Sequence, residues 1–534
     1  MFKNHPKGLI PAALANMGER FGYYIMNAVL LLFLISKFGL PDEQGSLIYS
    51  LFYAGIYVLS LVGGFIADRL KNYKGTIQTG LVIMATGYIL LSIPILATNQ
   101  NHIWLLTYTC VALFFIAFGN GLFKGNLQAI VGQMYDNFEK EAALKGEEAL
   151  KEAKARRNPG FQIFYVFINV GGLIAPFVAP LLRSWWLSKK ALIYIAELPE
   201  LCHKYITFGQ NMVSSNASAE QIQNSSKLYD NLIQFTEKVS GSAINEAEQL
   251  HTFCSKYLDV YNTGVHYSFI ASVIAMLISL VIFLSYKKMF PNPVKVKKEI
   301  VNYSKEEKLQ MAKEIKQRIY ALFAVLGIAV FFWFAFHQNG TSLSLFAKDF
   351  VITSKIPPEI WQAINPFFVI LLTPVIIWIF SRMKDKGNEP STPKKIAIGM
   401  GIAGIAFLFM AIISYMNNYP SANEFRGIAE ATREVQKTGP WVLFVLYFFL
   451  TVAELFISPL GISFVSKVAP KHLLGLCQGL WLGATAVGNG LLWIGPLLYN
   501  KYPIWICWTV FLVLCAVSMI VMLGMVKWLE RVTK

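Results

Sequence analysis

Long apolar stretches, most of about 20 residues or more, recur along the whole chain and are separated by short polar segments. A helix needs about 20 mainly apolar residues to cross the hydrocarbon core of a bilayer. The stretch from Ile319 to Ala347 contains no Asp, Glu, Lys or Arg, as a membrane helix requires. The pattern predicts twelve membrane-spanning helices, near 9–36, 46–68, 75–98, 103–134, 160–186, 264–286, 318–347, 359–381, 394–416, 439–466, 473–499 and 504–527.

Two polar segments interrupt this pattern and define the expected domains. Residues 187–263 are long for a loop and contain helical patches, so they are expected to form an extracytoplasmic loop or small subdomain. Residues 287–317 form a basic amphipathic linker on the cytoplasmic side. The predicted order is 1–186 for the first five helices, 187–263, 264–286 for the sixth helix, 287–317, and 318–534 for a second six-helix bundle.

Composition agrees with a polytopic membrane protein rather than several soluble domains. Of the 534 residues, 55% are hydrophobic and 15% are charged, with a mean hydropathy of +0.48, whereas soluble domains carry about 25% charged residues. Met1–Lys7 is short and basic, but the apolar run after it is too long for a cleavable signal peptide. The first helix is therefore expected to be retained.

The net charge of +16 arises mainly from the topology. With both termini in the cytoplasm, most Lys and Arg residues fall on cytoplasmic segments, as the positive-inside rule requires. The clearest are Arg69–Lys74 and Lys287–Lys316. No basic stripe interleaves with aromatic residues on a soluble domain, so nucleic-acid binding is not expected.

Cys202 and Cys254 both lie in the 187–263 segment. An oxidising exterior would permit a disulfide between them, and two free thiols fit the sequence almost as well. The other four cysteines lie in predicted helices and are interpreted as packing residues.

Charged residues inside the first predicted helix are the most informative feature of the chain. Glu19 and Arg20 lie in its middle, where a charge costs roughly 2.5–3.5 kcal/mol on insertion scales. Glu19 shares one helix face with Asn16, Tyr23 and Asn27, because these positions are spaced by three or four residues. The face is either a buried ion pair that holds helices together or the wall of a solute cavity.

Three further titratable residues lie deep in predicted helices. Lys124 has mainly apolar or small neighbours on both sides, which makes snorkelling to the interface a poor explanation. Glu454 shares a face with Thr451 and Ser458 and is either a proton carrier or a partner for an ammonium group. His337 follows Trp333 by one helical turn and is either a titrating group or a hydrogen-bonded core residue.

Uncharged polar and aromatic side chains complete the set. Asn169, Asn365 and Trp481 lie in the fifth, eighth and eleventh predicted helices. Together with Arg20, Lys124 and Glu454, these groups offer partners for an anion and a cation and amides that suit a peptide bond. Polar groups near the midplane of two facing halves are typical of an alternating-access carrier. No metal-ligand cluster or nucleophile motif is present, so neither an enzyme nor a cofactor is expected.

Four motifs in order along nearly the whole chain, excepting 187–263, resemble the proton-dependent oligopeptide transporter (POT/PTR) family. They are Glu19–Tyr24, Gly121–Asn126, Phe164–Gly172 and Glu454–Pro459. Gly63–Arg69, between the second and third helices, is similar to the loop signature of the major facilitator superfamily. The resemblance implies an all-α membrane protein with the major facilitator fold, in which 12 transmembrane helices form two six-helix bundles.

The resemblance also implies roles for individual residues. Glu454 and Asn365 would hold the amino terminus of a peptide. The carboxylate end and backbone of the peptide would face Tyr23, Tyr24, Lys124 and Asn169, and side-chain pockets would be shaped by Trp333 and Trp481. We include Asn27 and Ser458 among the substrate-binding candidates and assign proton coupling and gating to Glu19, Arg20, Lys124, His337 and Glu454.

Three positions depart from the family pattern. Asn16 stands where the family has a first Glu, Asn27 where it usually has Arg, and His337 where it usually has an acid. The last two are a salt-bridge pair in the family, and replacing both partners together can be nearly neutral. We expect Asn27 and His337 to form a hydrogen-bonded pair instead.

The sequence therefore predicts a secondary active importer of di- and tripeptides, coupled to protons, in a bacterial inner membrane with both termini cytoplasmic. Its expected partners are small peptides, protons and membrane lipid, and we expect a monomer. Two alternatives stay open: a carrier of a different small solute with altered coupling, and a substrate sensor that does not transport.

Overall fold

A computed structural model describes residues 5–98, 100–211, 219–244, 246–291, 305–352, 356–469 and 474–533. The described chain is built from α-helices joined by short turns and 3-10 segments. The helices are α1 Leu9–Phe38, α2 Asp42–Leu70, α3 Tyr73–Ser92, α4 His102–Ala143, α5 Glu147–Lys189, α6 Leu198–Phe208, α7 Ala219–Ser240, α8 Ala247–Ser285, α9 Lys305–Phe336, α10 Ser342–Asp349, α11 Ile364–Asp385, α12 Thr392–Met416, α13 Ala422–Arg426, α14 Glu430–Gln436, α15 Trp441–Val468, α16 Leu474–Gly490, α17 Ile494–Lys501 and α18 Ile504–Thr533.

Twelve segments in the described part of the chain are long and apolar enough to cross a membrane, as the sequence predicted. The first six are α1 to α5 and α8. The second six are α9 with its continuation through α10, α11 with the 3-10 turn before it, α12, α15, α16 with α17, and α18. The expectation of a twelve-helix, all-α membrane fold is therefore confirmed.

Small residues allow these helices to approach closely. A Cβ atom on Gly80 of α3 would lie 2.7 Å from the carbonyl oxygen of Gly119 on α4, so only glycine fits this crossing. In a bilayer, where apolar surface alone does not drive helices together, such close contacts supply much of the packing energy. At the end of α1, Gly39 adopts a left-handed conformation (φ 61°) that stops the helix and starts the turn into α2.

The two sets of six helices form two halves that contact each other along α2 with α16 and along α5 with α11. Twelve crossings bring both chain ends to one side, which we name the terminal face. The opposite side, the distal face, carries α6, α7, α13 and α14.

The 187–263 segment is mostly helical. It contains α6 and α7, and α8 begins at Ala247, well before the predicted start of the sixth span at 264. α6 packs against α7 and α8. Cys202 on α6 and Cys254 on α8 are fully buried neighbours and are free thiols in this structure. The amphipathic linker is also partly helical, because α9 begins at Lys305. The proposed division of the chain into domains stays a prediction.

Candidate functional site

A cavity of about 330 Å³ lies between the two halves. Its walls come from α1, α2, α4 and α5 of the first half and α9, α11, α15 and α16 of the second. Such a volume suits a small-molecule ligand. Twelve of the thirteen residues proposed from the sequence line it: Arg20, Tyr23, Tyr24, Asn27, Lys124, Asn169, Trp333, His337, Asn365, Glu454, Ser458 and Trp481. Glu19 lies behind the wall.

Glu19 and Arg20 neutralise each other. Arg20 donates from Nε to Oε2 of Glu19 at 2.5 Å and from Nη2 to Oε1 at 2.8 Å. Asn120 on α4 donates a further hydrogen bond to Oε1, and Glu19 has no exposed surface. The Arg20 guanidinium also lies 4.7 Å from the ring centre of Tyr23. Glu19 therefore holds Arg20 in position from behind, and Arg20 presents one face to the cavity.

Lys124 enters the cavity from α4 without an acidic partner. Its ammonium group lies 4.4 Å from the ring centre of Tyr57, a favourable cation–π distance. Within the described residues, no carboxylate lies within 4.0 Å of Lys124. The Glu19 carboxylate is engaged by Arg20 and Asn120 rather than by Lys124. The ammonium group is thus available to a ligand.

Glu454 enters the cavity from α15 in the second half. Asn365 on α11 donates from Nδ2 to Oε2 of Glu454 at 2.9 Å and to Oγ1 of Thr451 at 3.0 Å. No basic side chain among the described residues lies within ion-pair distance of Glu454. Asn365 and Glu454, which were predicted to hold an amino group, are therefore adjacent. No basic side chain of the described chain pairs with the Glu454 carboxylate.

A row of tyrosines on α2 forms a wall that the sequence reasoning missed. Tyr53 and Tyr57 line the cavity, and Tyr49 lies one turn beyond Tyr53. The Tyr53 ring stacks on Tyr23 of α1 with centres 6.1 Å apart. The signal was present in the sequence, since 49, 53 and 57 are spaced by four residues and must share one helix face.

The expected pair between Asn27 and His337 is wrong. Asn27 donates to Oε1 of Gln362 at 3.1 Å across the two halves and accepts from the Tyr49 hydroxyl at 2.6 Å. His337 Nδ1 instead contacts Oδ1 of Asn489 on α16 at 2.5 Å. The reason is that each side chain has another partner: Gln362, in the 3-10 segment Pro358–Ala363 before α11, accepts from Asn27, and Asn489 binds Nδ1 of His337.

His337 has an aromatic environment. Its ring stacks on Trp333 with centres 4.9 Å apart and meets the edge of Tyr53 at the same distance. Because an amide oxygen only accepts hydrogen bonds, Nδ1 carries the hydrogen toward Asn489 and Nε2 is the acceptor of the neutral ring. His337 therefore contacts the first half through Tyr53 rather than through Asn27.

Asn169 and Trp481 complete the walls. Asn169 donates from Nδ2 to the Tyr165 carbonyl oxygen at 3.0 Å, and its side chain lines the cavity. Trp481 packs against Gly461 of α15, where any side chain would collide with the indole ring. No group of three or more His, Cys, Asp or Glu side chains in the described chain is placed to hold a metal ion.

The fold and the site together define a twelve-helix membrane protein with a ligand-sized cavity between two six-helix halves. The model of the POT family matches residues 74–205 and 292–504. The chain belongs to this family.

Individual relatives are similar over most of the chain. It is 27% identical over 510 residues to the peptide transporter YePEPT of Yersinia enterocolitica, covering 91% of this chain and 87% of that protein. It is 26% identical over 484 residues to dipeptide and tripeptide permease B of Edwardsiella piscicida, covering 90% and 84%.

Solved structures share the fold. A peptide transporter POT in complex with sulfate superposes with a TM-score of 0.68 at 20% identity, covering 100% of this chain and 96% of the other. A POT family transporter in complex with a thioalcohol-conjugated peptide gives 0.67 at 20% identity, covering 100% and 98%.

Proposed function

We propose that this protein imports di- and tripeptides by alternating access, driven by protons. One observation carries the proposal. Lys124 of the first half and Glu454 of the second half line the same cavity, and neither has an oppositely charged partner among the described side chains. A zwitterionic peptide supplies both missing charges, so its binding would draw the two halves together.

The remaining cavity residues suit the rest of a peptide. Asn365 orients the Glu454 carboxylate toward an ammonium group, and Arg20 lies near Tyr23 and Tyr24, on the half that also carries Lys124. Asn27, Asn169 and Ser458 offer uncharged hydrogen-bonding atoms for the peptide backbone. Trp333 and Trp481 supply apolar walls for its side chains.

The proposal includes the membrane placement. The terminal face would be cytoplasmic, because it carries the basic segments after α2 and α8, and the distal face extracytoplasmic. The membrane would be the bacterial inner membrane, and the working unit a monomer. The groups assigned to proton coupling and gating are Glu19, Arg20, Lys124, His337 and Glu454.

Uptake into proteoliposomes tests the proposal. Purified protein is reconstituted with an imposed pH gradient or an imposed Na⁺ gradient and offered labelled dipeptides, tripeptides and free amino acids. We expect concentrative uptake of peptides with the pH gradient only. Uptake of another solute alone, or uptake driven only by Na⁺, would favour a carrier with altered coupling. Saturable peptide binding without uptake or exchange would favour a sensor.

A further inference from the structure

Ion pairs join the two halves at the distal face, outside the cavity. Each pairs a side chain of one half with a side chain of the other: Arg426 with Asp42 at 2.8 Å, Lys348 with Glu200 at 3.0 Å, Arg433 with Glu197 at 2.5 Å, Lys238 with Glu430 at 3.4 Å, and Arg183 with Glu359. The distal face is therefore closed in this structure.

We name the segment between the end of α5 and the start of α8, residues 190–246, the insertion. It supplies several of the side chains that join the two halves at the distal face. Glu197, just before α6, and Glu200, in its first turn, pair with Arg433 and Lys348 of the second half. Asn231 of α7 donates from Nδ2 to the carbonyl oxygen of Ile428 at 3.1 Å and accepts from the backbone nitrogen of Glu430 at 3.0 Å. The insertion thus binds both side chains and backbone of the segment that carries α13 and α14.

The contacts are electrostatically matched. The insertion contributes Glu197, Glu200 and Lys238, and each meets a side chain of opposite charge in the second half: Arg433, Lys348 and Glu430. Burial opposes ionisation of Glu200, but the neighbouring Lys204, Lys348 and Arg426 hold the pKa of its carboxyl well below its usual range. The Glu200 carboxyl is therefore ionised near neutral pH, and its ion pair with Lys348 forms between groups in their ordinary charge states.

Arg433 points to a contact that forms in one state only. Its side chain is 1% exposed and Nη1 binds Glu197, while Nε and Nη2 have no hydrogen-bond partner among the residues that the structure describes. A buried ion pair with unsatisfied donors adds little net stability, because the desolvation penalty offsets the attraction. Water reaches both partners when the halves separate, so this pair can open and close.

We propose that the insertion is a latch. In the distal-closed state, Glu197, Glu200 and Asn231 hold the second half through Arg433, Lys348 and the 428–430 backbone, and all of these contacts are released when the distal face opens. A contact made in only one of two end states shifts the equilibrium toward that state. This inference rests on the proposed alternating-access function.

Distances between spin labels test the latch without substrate. Cysteines replace His251 on α8 and Asn417 after α12, which are exposed and lie on different halves at the distal end, and the partly exposed Cys110 is replaced by Ala. We expect Glu197→Arg and Arg433→Glu each to increase the long-distance population at least roughly fivefold relative to the short one. The double charge swap should restore the original distribution.

Glu248→Arg is the matched control, since it makes the same charge change at an exposed position of α8. It should leave the distances unchanged. Glu197→Gln and Asn231→Ala, which introduce no charge, should shift the distances in the same direction by a smaller factor. A wild-type distribution in both of these folded variants overturns the latch, as does a charge-swap double that stays open. The measurement needs no peptide, so it stands apart from the outcome of the uptake assay.

Discussion

Asn365 donates a 2.9 Å hydrogen bond to the Glu454 carboxylate, and the two side chains, on α11 and α15, form a polar corner of the cavity. The amide occupies one carboxylate oxygen without neutralising its charge. The corner therefore offers a carboxylate acceptor with a fixed orientation, and no cation of the described chain pairs with it.

Replacing this charge should weaken peptide binding. Glu454→Gln keeps the shape and a possible contact with Asn365 but removes the attraction for an ammonium group. Hydrogen bonds to charged groups contribute about 1.5–3 kcal/mol, so dipeptide affinity should fall about 10- to 100-fold. Calorimetry or ligand-induced thermal shift measures this, with Glu248→Gln as the control. Equal dipeptide affinity in wild type and Glu454→Gln would refute the assignment.

Removing the cation of the opposite half should uncouple transport. In the described part of the chain, Lys124 contacts the Tyr57 ring and no acid lies within ion-pair distance of it, so Lys124→Ala leaves Glu19 and Arg20 paired. We expect pH-driven concentrative uptake to be lost while some exchange of peptide across the membrane persists. Lys151→Ala, on the exposed part of α5, is the control. Undiminished uptake by Lys124→Ala under a pH gradient would rule out an essential role.

Replacing His337 with a residue that cannot titrate isolates its contribution to the pH dependence of uptake. An imidazole has an unperturbed pKa near 6.5, which places it among the coupling candidates. His337→Gln retains a hydrogen-bonding group next to Asn489 but cannot take up a proton. We expect uptake by this variant to depend less on pH between about 5 and 8. If its pH profile matches wild type, His337 is not the coupling residue, and Glu19 and Glu454 are the remaining candidates.

His203 should make the stability of the protein depend on pH. Burial, and then the neighbouring His102, lower the pKa of His203 to about 4 from 6.5. As the pH falls from about 6.5 to about 4, the unfolded chain takes up a proton that the folded protein does not, so stability decreases across this window.

Thermal unfolding measured at several pH values checks this prediction. His203→Gln should show a shallower decrease between pH 6.5 and 4 than wild type, whereas His251→Gln, on the exposed side of α8, should not. An identical slope in His203→Gln and wild type would show that other groups cause the acid sensitivity.

Local physical chemistry explains what the sequence predicted. A helix that crosses a bilayer must be apolar for about 20 residues, so the twelve spans are visible as composition alone. A charge within such a span is costly and is retained where it binds something, so Arg20, Lys124 and Glu454 stand out as candidate site residues from their positions in the chain. The helical period also placed residues three or four apart on one face.

Only the tertiary structure decided which polar groups meet. Asn27 and His337 were expected to pair, yet Gln362 and Asn489 are their partners. Each of these partners lies more than a hundred positions away in the chain, and the contacts depend on how whole helices pack. The proposed latch depends even more on the tertiary structure. In the sequence, Glu197 and Arg433 are charged residues of two polar segments with nothing to indicate that they pair. Their pairing arises because the two halves meet at the distal face, which no local sequence pattern encodes.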